Sequence, residues 1–311
     1  MTRIVVIGGL NMDLHLFDLA EAVSQAPLLA ERHLAEPGGK GANVARAAAR
    51  LGADVALVGR IGDDDHGRNC VTAVADDGVD TGAVVVTPGE STGFVAIELK
   101  EGRHHSVLFA PGANDRVTWS DIGPTVELLD PGDIVIAQAE LPREAMSDLA
   151  AFATRSGIVL FLDPTPTDRC TAELLAAAEV ITPNRVEAAA LVGRVDSSPV
   201  APALAATDLL RSGAQRVLVK TGESGALLAE GDSMSQIPTL AITPTDEIGA
   251  GDVFLAALAV RRSEGGSWEK ATRFANTASA LSVAASGLVL PDRQAVDQAM
   301  KQLVAPTRRI L

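Results

Sequence analysis

Tyrosine is absent from the chain, and aromatic residues make up only 3% of it. Flat platforms for stacking bases are therefore scarce. Cysteine is almost absent as well. Cys70 and Cys170 form no CxxC pair and no disulfide framework, which implies a reducing compartment and ordinary core thiols. No stretch approaches the ~18 uninterrupted apolar residues of a membrane helix. Met1-Thr2-Arg3 leads straight into Ile4–Ile7, without a secretory apolar core or small-residue cleavage site, so the expected location is the cytoplasm. Positive charge is in short supply: 26 Lys and Arg face 40 Asp and Glu, for a formal charge of −14. Such a surface repels polyanions, so neither nucleic acid nor a membrane surface is an expected partner. An anionic substrate must be drawn in by some local positive feature.

What remains is an ordinary globular composition, 47% hydrophobic over 311 residues. That length allows one large α/β domain or two small ones. Short β-branched runs alternate with amphipathic stretches. Strands are predicted at 4–7, 55–58, 134–137, 158–162 and 217–220. Helices are predicted at 42–51, 66–76, 144–154, 186–192 and 203–211, with long ones from Ala250 and Trp268 and a last one at 293–303. This alternation implies a mainly parallel sheet covered by helices on both faces. Two stretches break the rhythm. Residues 12–37 show no clear βα unit, and 93–109 read as a hairpin split by Glu101-Gly102-Arg103. Both fit a small sheet projecting from the core.

Three motifs carry chemistry. Asp246-Glu247-Ile248-Gly249-Ala250-Gly251-Asp252 precedes the apolar run Val253 to Leu258. Small residues let several backbone N–H groups converge where the helix dipole is positive, which suits a transferring phosphoryl group. A carboxylate there has work to do as the base that takes a hydroxyl proton, or it is an ordinary helix cap. Pro37-Gly38-Gly39-Lys40-Gly41-Ala42-Asn43 lets a small ligand touch the backbone, with Lys40 and Asn43 as donors, or it is a tight turn. It lacks the wider glycine spacing of a Walker A loop. Asn11 and Asp13 lie two apart, so in an extended segment they face one way and make a hydroxyl-binding pair, or else a polar loop.

In this order the motifs resemble the ribokinase family of carbohydrate kinases. Gly59-Arg60-Ile61-Gly62-Asp63-Asp64, Pro111-Gly112-Ala113-Asn114, Gln138-Ala139-Glu140-Leu141-Pro142, Thr182-Pro183-Asn184-Arg185-Val186-Glu187 and Lys220-Thr221-Gly222-Glu223-Ser224-Gly225 are similar to further family segments. The resemblance runs from about residue 4 to 303. It implies a single domain over 1–311, with a Rossmann-like doubly wound sheet and a small β-sheet lid from 12–37 and 93–109. It implies ATP-dependent phosphorylation of a sugar, a free pentose such as ribose ranking first. Asn11, Asp13, Gly39, Lys40, Asn43 and Glu140 would bind the sugar, and Asp252 would deprotonate it beside the anion hole of Gly249, Ala250 and Gly251. Asn184 and Glu187 would arrange Mg²⁺ and phosphates. Lys220, Thr221, Gly222, Gly225 and Asn276 would border ATP. A homodimer through the lid is also implied.

A monovalent cation, K⁺, is expected beside the anion hole. Asp246 supplies a fixed charge and Ile248 a carbonyl at a bend, unless Asp246 merely caps the turn. By resemblance, carbonyls of Ser282, Ala285 and Gly287 would complete the cage, which suits a large, weakly hydrated ion better than Mg²⁺. Two features depart from the family pattern. Glu247 stands where Thr is usual, and His104-His105 fall in the hairpin, where exposed polar residues are a simpler reading than a metal site with His33. The rivals are a nucleoside or phosphosugar kinase of the same fold and a nucleotide-binding regulator without turnover. Phe17, Phe94 and Phe109 are the aromatic residues on offer for a base; Arg32, Arg103 and His104 are the cations on offer for a sugar phosphate. Gly8-Gly9 gives no G-x-G-x-x-G, which disfavours a dinucleotide oxidoreductase.

Overall fold

The computed structural model describes residues 2–18, 29–100, 103–193, 202–285, 287–303 and 306–310. In chain order the strands are β1 Ile4–Ile7, β2 Asn11–Phe17, β3 Arg32–Gly38, β4 Val55–Gly62, β5 Asp80–Thr87, β6 Gly93–Lys100, β7 Arg103–Ala110, β8 Ile134–Gln138, β9 Val159–Asp163, β10 Val180–Ile181, β11 Arg216–Lys220, β12 Ala226–Glu230, β13 Ser233–Ile237 and β14 Arg308–Arg309. The helices are α1 Lys40–Arg50, α2 Asp65–Asp76, α3 Trp119–Val126, α4 Arg143–Ser156, α5 Ala172–Ala177, α6 Arg185–Leu191, α7 Pro202–Arg211, α8 Ala250–Ser263, α9 Trp268–Ser282 and α10 Arg293–Met300.

Ten strands form one sheet in the order β14-β13-β12-β11-β10-β9-β8-β1-β4-β5. Pairing is parallel from β5 through to β11 and antiparallel from β11 to β14. The central strand runs Ile4–Ile7 and 134–137 are apolar at every position because both faces are covered. Alternate residues go to opposite sides. Ile4, Val6, Leu57 and Ile136 pack with residues of α1, α2, α8, α9 and α10, whereas Val5, Ile7, Val58 and Val135 pack with residues of α3 to α7. The sheet is therefore doubly wound, and the chain turns in opposite directions on the two sides of β1 and β8. The crevice at the carboxyl ends of strands flanking such a switch point is where ligands bind in this architecture.

The four strands β3-β2-β6-β7 form a second, smaller sheet. The hairpin expected at 93–109 is β6 and β7, antiparallel with Lys100 opposite Arg103. The irregular stretch after residue 12 contains β2 and β3, antiparallel with Asp13 opposite Glu36. The small sheet meets the core through Phe17, Ile97 and Leu99, which cluster with Ile248 and Leu288. Boundaries differ from expectation in two informative places. The last helix stops at Met300, short of residue 303, with Lys301 as its cap. β5, half exposed at the sheet edge, and the β12–β13 hairpin had no counterpart in the sequence reading.

The exit of β1 and the first turn of α1 touch backbone to backbone. A Cβ placed on Gly41 would lie 2.4 Å from the Gly8 carbonyl carbon and 2.8 Å from Gly9 N. Alanine improves helix propensity by about 1 kcal/mol, but here it forces α1 off the sheet. Gly41→Ala is expected to lower stability by ~2–3 kcal/mol net, read as a lower midpoint in urea unfolding.

Candidate active site

The crevice is built from the carboxyl ends of five parallel strands and the N-termini of two helices. β1 delivers Gly8 and Gly9, β8 delivers Glu140, β9 ends on Asp163, β10 leads to Asn184, and β11 ends on Lys220. α1 begins at Lys40 after Gly39, whose φ of 92° is open to glycine at little cost. α8 begins after Gly249, with φ 70° and no side-chain cap. The first N–H groups of a helix have no intrahelical partner, and the dipole makes that end positive. A Cβ on Gly249 would lie 2.3 Å from Leu288 Cδ1, and one on Gly251 would lie 3.2 Å from Lys220 Nζ. Lys220 thus hangs over Gly251, adding its charge to that of the helix end.

A cavity of about 850 Å³ opens here, lined by Lys220 to Gly225, Asn184, Glu187, Glu247, Gly249 to Asp252, Asn276 and Lys40. The residues expected at a nucleotide thus share one cavity. Asn276 Nδ2 donates to the carbonyls of Ile237 at 2.9 Å and Pro238 at 3.1 Å, fixing the exit of β13. The Thr221 hydroxyl donates to Gly225 O at 2.8 Å, and Gly225 has no room for a Cβ, which would meet Ile237 O at 2.1 Å. Asn184 Oδ1 accepts from the N–H of Val186 and of Glu187 and so caps α6. Glu187 Oε2 accepts from Asn184 N at 2.7 Å. Its other oxygen lies 2.9 Å from the Thr165 hydroxyl, which also lies 2.8 Å from Asp163 Oδ1.

Lys40 sits at the inner end of the cavity, and the residues expected at a sugar gather around it and Asp252. Lys40 Nζ is 3.2 Å from Asp163 Oδ2 and 3.9 Å from Asp252 Oδ1. Asn43 Nδ2 donates to Asp252 Oδ2 at 3.0 Å. Glu140 Oε1 accepts from Gly9 N at 3.0 Å. Asn11 Oδ1 accepts from Asn114 Nδ2 at 2.8 Å, and Asn114 also exchanges hydrogen bonds with the Leu10 backbone. The buried oxygens Asp13 Oδ1, Asn43 Oδ1 and Asp252 Oδ1 have no hydrogen-bond partner in the protein. Sugar hydroxyls are the kind of group that satisfies such oxygens. Two residues of this cluster had no assigned role in the sequence. Asp163 is a lone acid before a proline, and Asn114 stood only inside a matched segment.

Burial and charge divide the acids. Burial lifts the Asp252 carboxyl above the ordinary carboxylate range, against the Lys40 charge and the Asn43 bond. Burial alone would lift Asp163 as well, but Lys40 and Lys220 outweigh it and hold that carboxyl low. Burial alone would depress Lys40, and Asp163, Asp252 and Glu140 reverse this and keep the ammonium protonated.

Asp246 is buried and ties two loops together. Its oxygens accept from Ile248 N and Gly287 N, each at 3.0 Å. Thr245 N donates to Val283 O at 2.7 Å alongside. The structure thus brings Asp246, Ile248 and the 282–287 loop together. Ser282 ends α9 and is buried, while Ala285 lies in the exposed part of that loop. The His104 and His105 side chains lie outside what is described. Among the described residues no cluster of three His, Cys, Asp or Glu is placed to hold a metal ion.

Burial raises Glu140 and Asp13 each to about 7. Folded values above the unfolded ones mean that their contribution to stability is complete below the unfolded values, 4.5 and 3.8, and is lost as pH rises through about 7. Stability in urea is expected to fall from about pH 5 to about pH 8, and Glu140→Gln with Asp13→Asn is expected to flatten that slope.

Residues 1–295 match the family model of pfkB family carbohydrate kinases. A ribokinase of Bacillus subtilis is 33% identical over 300 residues, covering 96% of this chain and 99% of that protein. A ribokinase of Arabidopsis thaliana, solved with ribose and ATP, superposes with a TM-score of 0.84 at 29% identity, over 96% of this chain and 99% of that one. Phosphofructokinase-2 of Escherichia coli, solved in complex with potassium, superposes with a TM-score of 0.79 at 25% identity, over 98% of this chain and all of that one. The doubly wound sheet, the two uncapped helix starts at one crevice and this match over nearly the whole length agree, and the chain belongs to the pfkB family of carbohydrate kinases.

Proposed function

We propose that the chain transfers the γ-phosphoryl group of ATP to a hydroxyl of a free pentose, with ribose as the substrate. The observation that carries this reading is Asp252. Its carboxylate is buried, one oxygen is oriented by Asn43, and the other, 3.9 Å from the Lys40 ammonium, accepts no hydrogen bond from the protein beside the N-terminus of α8. That second oxygen takes the proton of the attacking hydroxyl, the hydroxyl oxygen bonds to the γ-phosphorus, and ADP departs with the bond that breaks. The N–H groups at Gly249 to Gly251 and the Lys220 ammonium stabilise the charge on the equatorial oxygens. Asn11, Asp13, Gly39, Lys40, Asn43 and Glu140 orient the sugar. The ribose and ATP bound to the Arabidopsis relative support the choice of substrates.

Asp163 and Glu187 share the Thr165 hydroxyl at the cavity edge, a carboxylate pair suited to hold the water shell of Mg²⁺. Bound there, Mg²⁺ would neutralise phosphate charge. A buried carboxylate joining two loops fits K⁺, held by Asp246 and the carbonyls of Ile248, Ser282, Ala285 and Gly287, and the potassium complex of the Escherichia coli neighbour supports this. The four-stranded sheet acts as a lid within a single domain. Its exposed Leu34, Val107, Leu108 and Phe109 suit a homodimer through that sheet. The free thiols of Cys70 and Cys170 fit a cytoplasmic enzyme. The nucleoside rival loses ground because Phe17 stacks beneath Arg32, 3.3 Å from its ring centroid, and packs among apolar neighbours. The same stacking commits Arg32, one of the cations that a phosphosugar would need.

Asp252→Asn keeps the size and removes the base, so kcat for ribose is expected to fall by about 10² to 10⁴ with ATP binding retained. Coupled ADP-release kinetics check this, and near wild-type turnover would overturn the assignment. At constant ionic strength, K⁺ is expected to raise the rate above that in Na⁺ or a bulky organic cation, and Asp246→Ala is expected to abolish the difference. Equal rates in all three salts would remove the cation site.

A further inference from the structure

The inner face of the small sheet carries more polar chemistry than the site described above uses. Side chains two apart on a strand share a face, as do residues directly opposite on paired strands. Asp13 and His15 of β2 therefore share a face with Glu36 of β3, which is opposite Asp13. It is the face that carries Phe17, Ile97 and Leu99 onto Ile248 and Leu288. His15 is 1% exposed, and its Nε2 lies 3.2 Å from Glu36 Oε1. The geometry of that approach makes no hydrogen bond. Both His15 nitrogens, Glu36 Oε1 and Asp13 Oδ1 are buried without a hydrogen-bond partner. A Cβ on Gly287 would lie 4.0 Å from Glu36 Oε1, so this group faces the loop tied down by Asp246.

A buried imidazole with both nitrogens unsatisfied is costly and rare. Packing does not account for it, because an apolar residue would serve better beside Ile97 and Ile248. Two carboxylates directly opposite on one face repel each other unless a donor lies between them. The unsatisfied atoms run on from Asp13, which the proposed function places on the sugar. All of them lie on the face of the small sheet that packs on Ile248, in the loop that leads to Asp252.

We propose that His15 and Glu36 are specificity-determining residues that hydrogen-bond a sugar hydroxyl beyond those held by Asp13, so that the site selects an uncharged polyhydroxy substrate. This rests on the sugar-kinase reading. His15 donates to or accepts from the hydroxyl, and Glu36 accepts its proton or orients the imidazole. Asp13 and Glu36 together repel a phosphate at that end of the sugar, which sets a free sugar apart from a sugar phosphate.

The test is a cycle between the residue and the substrate. Wild type, His15→Leu and Glu36→Gln are assayed with ribose, 2-deoxyribose, 3-deoxyribose and 1,4-anhydroribitol. His15→Leu is expected to lose about 10-fold to 100-fold in kcat/KM for ribose, with the KM for ATP changed less than about twofold. With the analogue that lacks the contacted hydroxyl, wild type and His15→Leu are expected to be equal, because the partner is already gone. An unchanged ribose kcat/KM in His15→Leu would overturn the proposal. So would an equal loss on ribose and all three analogues, since that is the mark of a structural role. If His15→Leu does not fold, His15→Gln takes its place in the same cycle. If wild type phosphorylates another sugar of the family's range and not ribose, the substrate reading fails by itself. The cycle is then run on the deoxy analogues of the accepted sugar, so the two failures are distinct.

Discussion

Everything at the crevice depends on one ammonium among three carboxylates. Lys40 lies between Asp163 and Asp252, with Glu140 close by, and each of the four comes from a different element. Charges this buried are tolerable only when they are mutually compensated. The cluster therefore holds α1, β9, α8 and the end of β8 in one arrangement. It also sorts the acids by proton affinity. Asp163 stays charged as the counter-ion of Lys40, while Asp252, with one oxygen accepting no hydrogen bond, is left more basic than an ordinary carboxylate.

The cluster puts Lys40 at the N-terminus of α1, where a positive charge opposes the helix dipole. α1 has no acidic residue in its first turn and no side-chain cap. Asp163 and Asp252, reaching in from the sheet and from α8, offset the Lys40 charge, and the Gly9 carbonyl accepts from Ala42 N at 3.2 Å in place of a side-chain cap. The start of α1 is thus stabilised by tertiary contacts. This is possible only because Gly8 and Gly41 let the helix end approach the sheet to backbone contact.

Much of this was legible in the sequence. Gly249, Ala250, Gly251 and Asp252 could be read because their meaning is local: small residues ahead of an apolar helix. The buried strands could be read because both of their faces are apolar. Asp163 could not, since its partner Lys40 is 123 residues away and nothing around it in the chain marks the pairing. β2 escaped for a related reason. Met12, Leu14 and Leu16 alternate with Asn11, Asp13 and His15, and the second set lies on a covered face that is polar because it meets the crevice. A strand whose buried side is polar does not look like a core strand. β5 was missed because it lies half exposed at the sheet edge, where neither periodicity is strong.

The two ends of the small sheet are held by different kinds of contact. At Asn11 it is pinned to Asn114 and the Leu10 backbone, and Gly38 and Gly93 pair beside it. At Phe17 and Leu99 it packs on the core through apolar contact with Ile248 and Leu288. Hydrogen bonds fix direction as well as distance, whereas apolar packing fixes only depth. The position of Asp13, two residues from Asn11, is therefore set from the hydrogen-bonded end of the sheet and not from the end where Phe17 packs on Ile248.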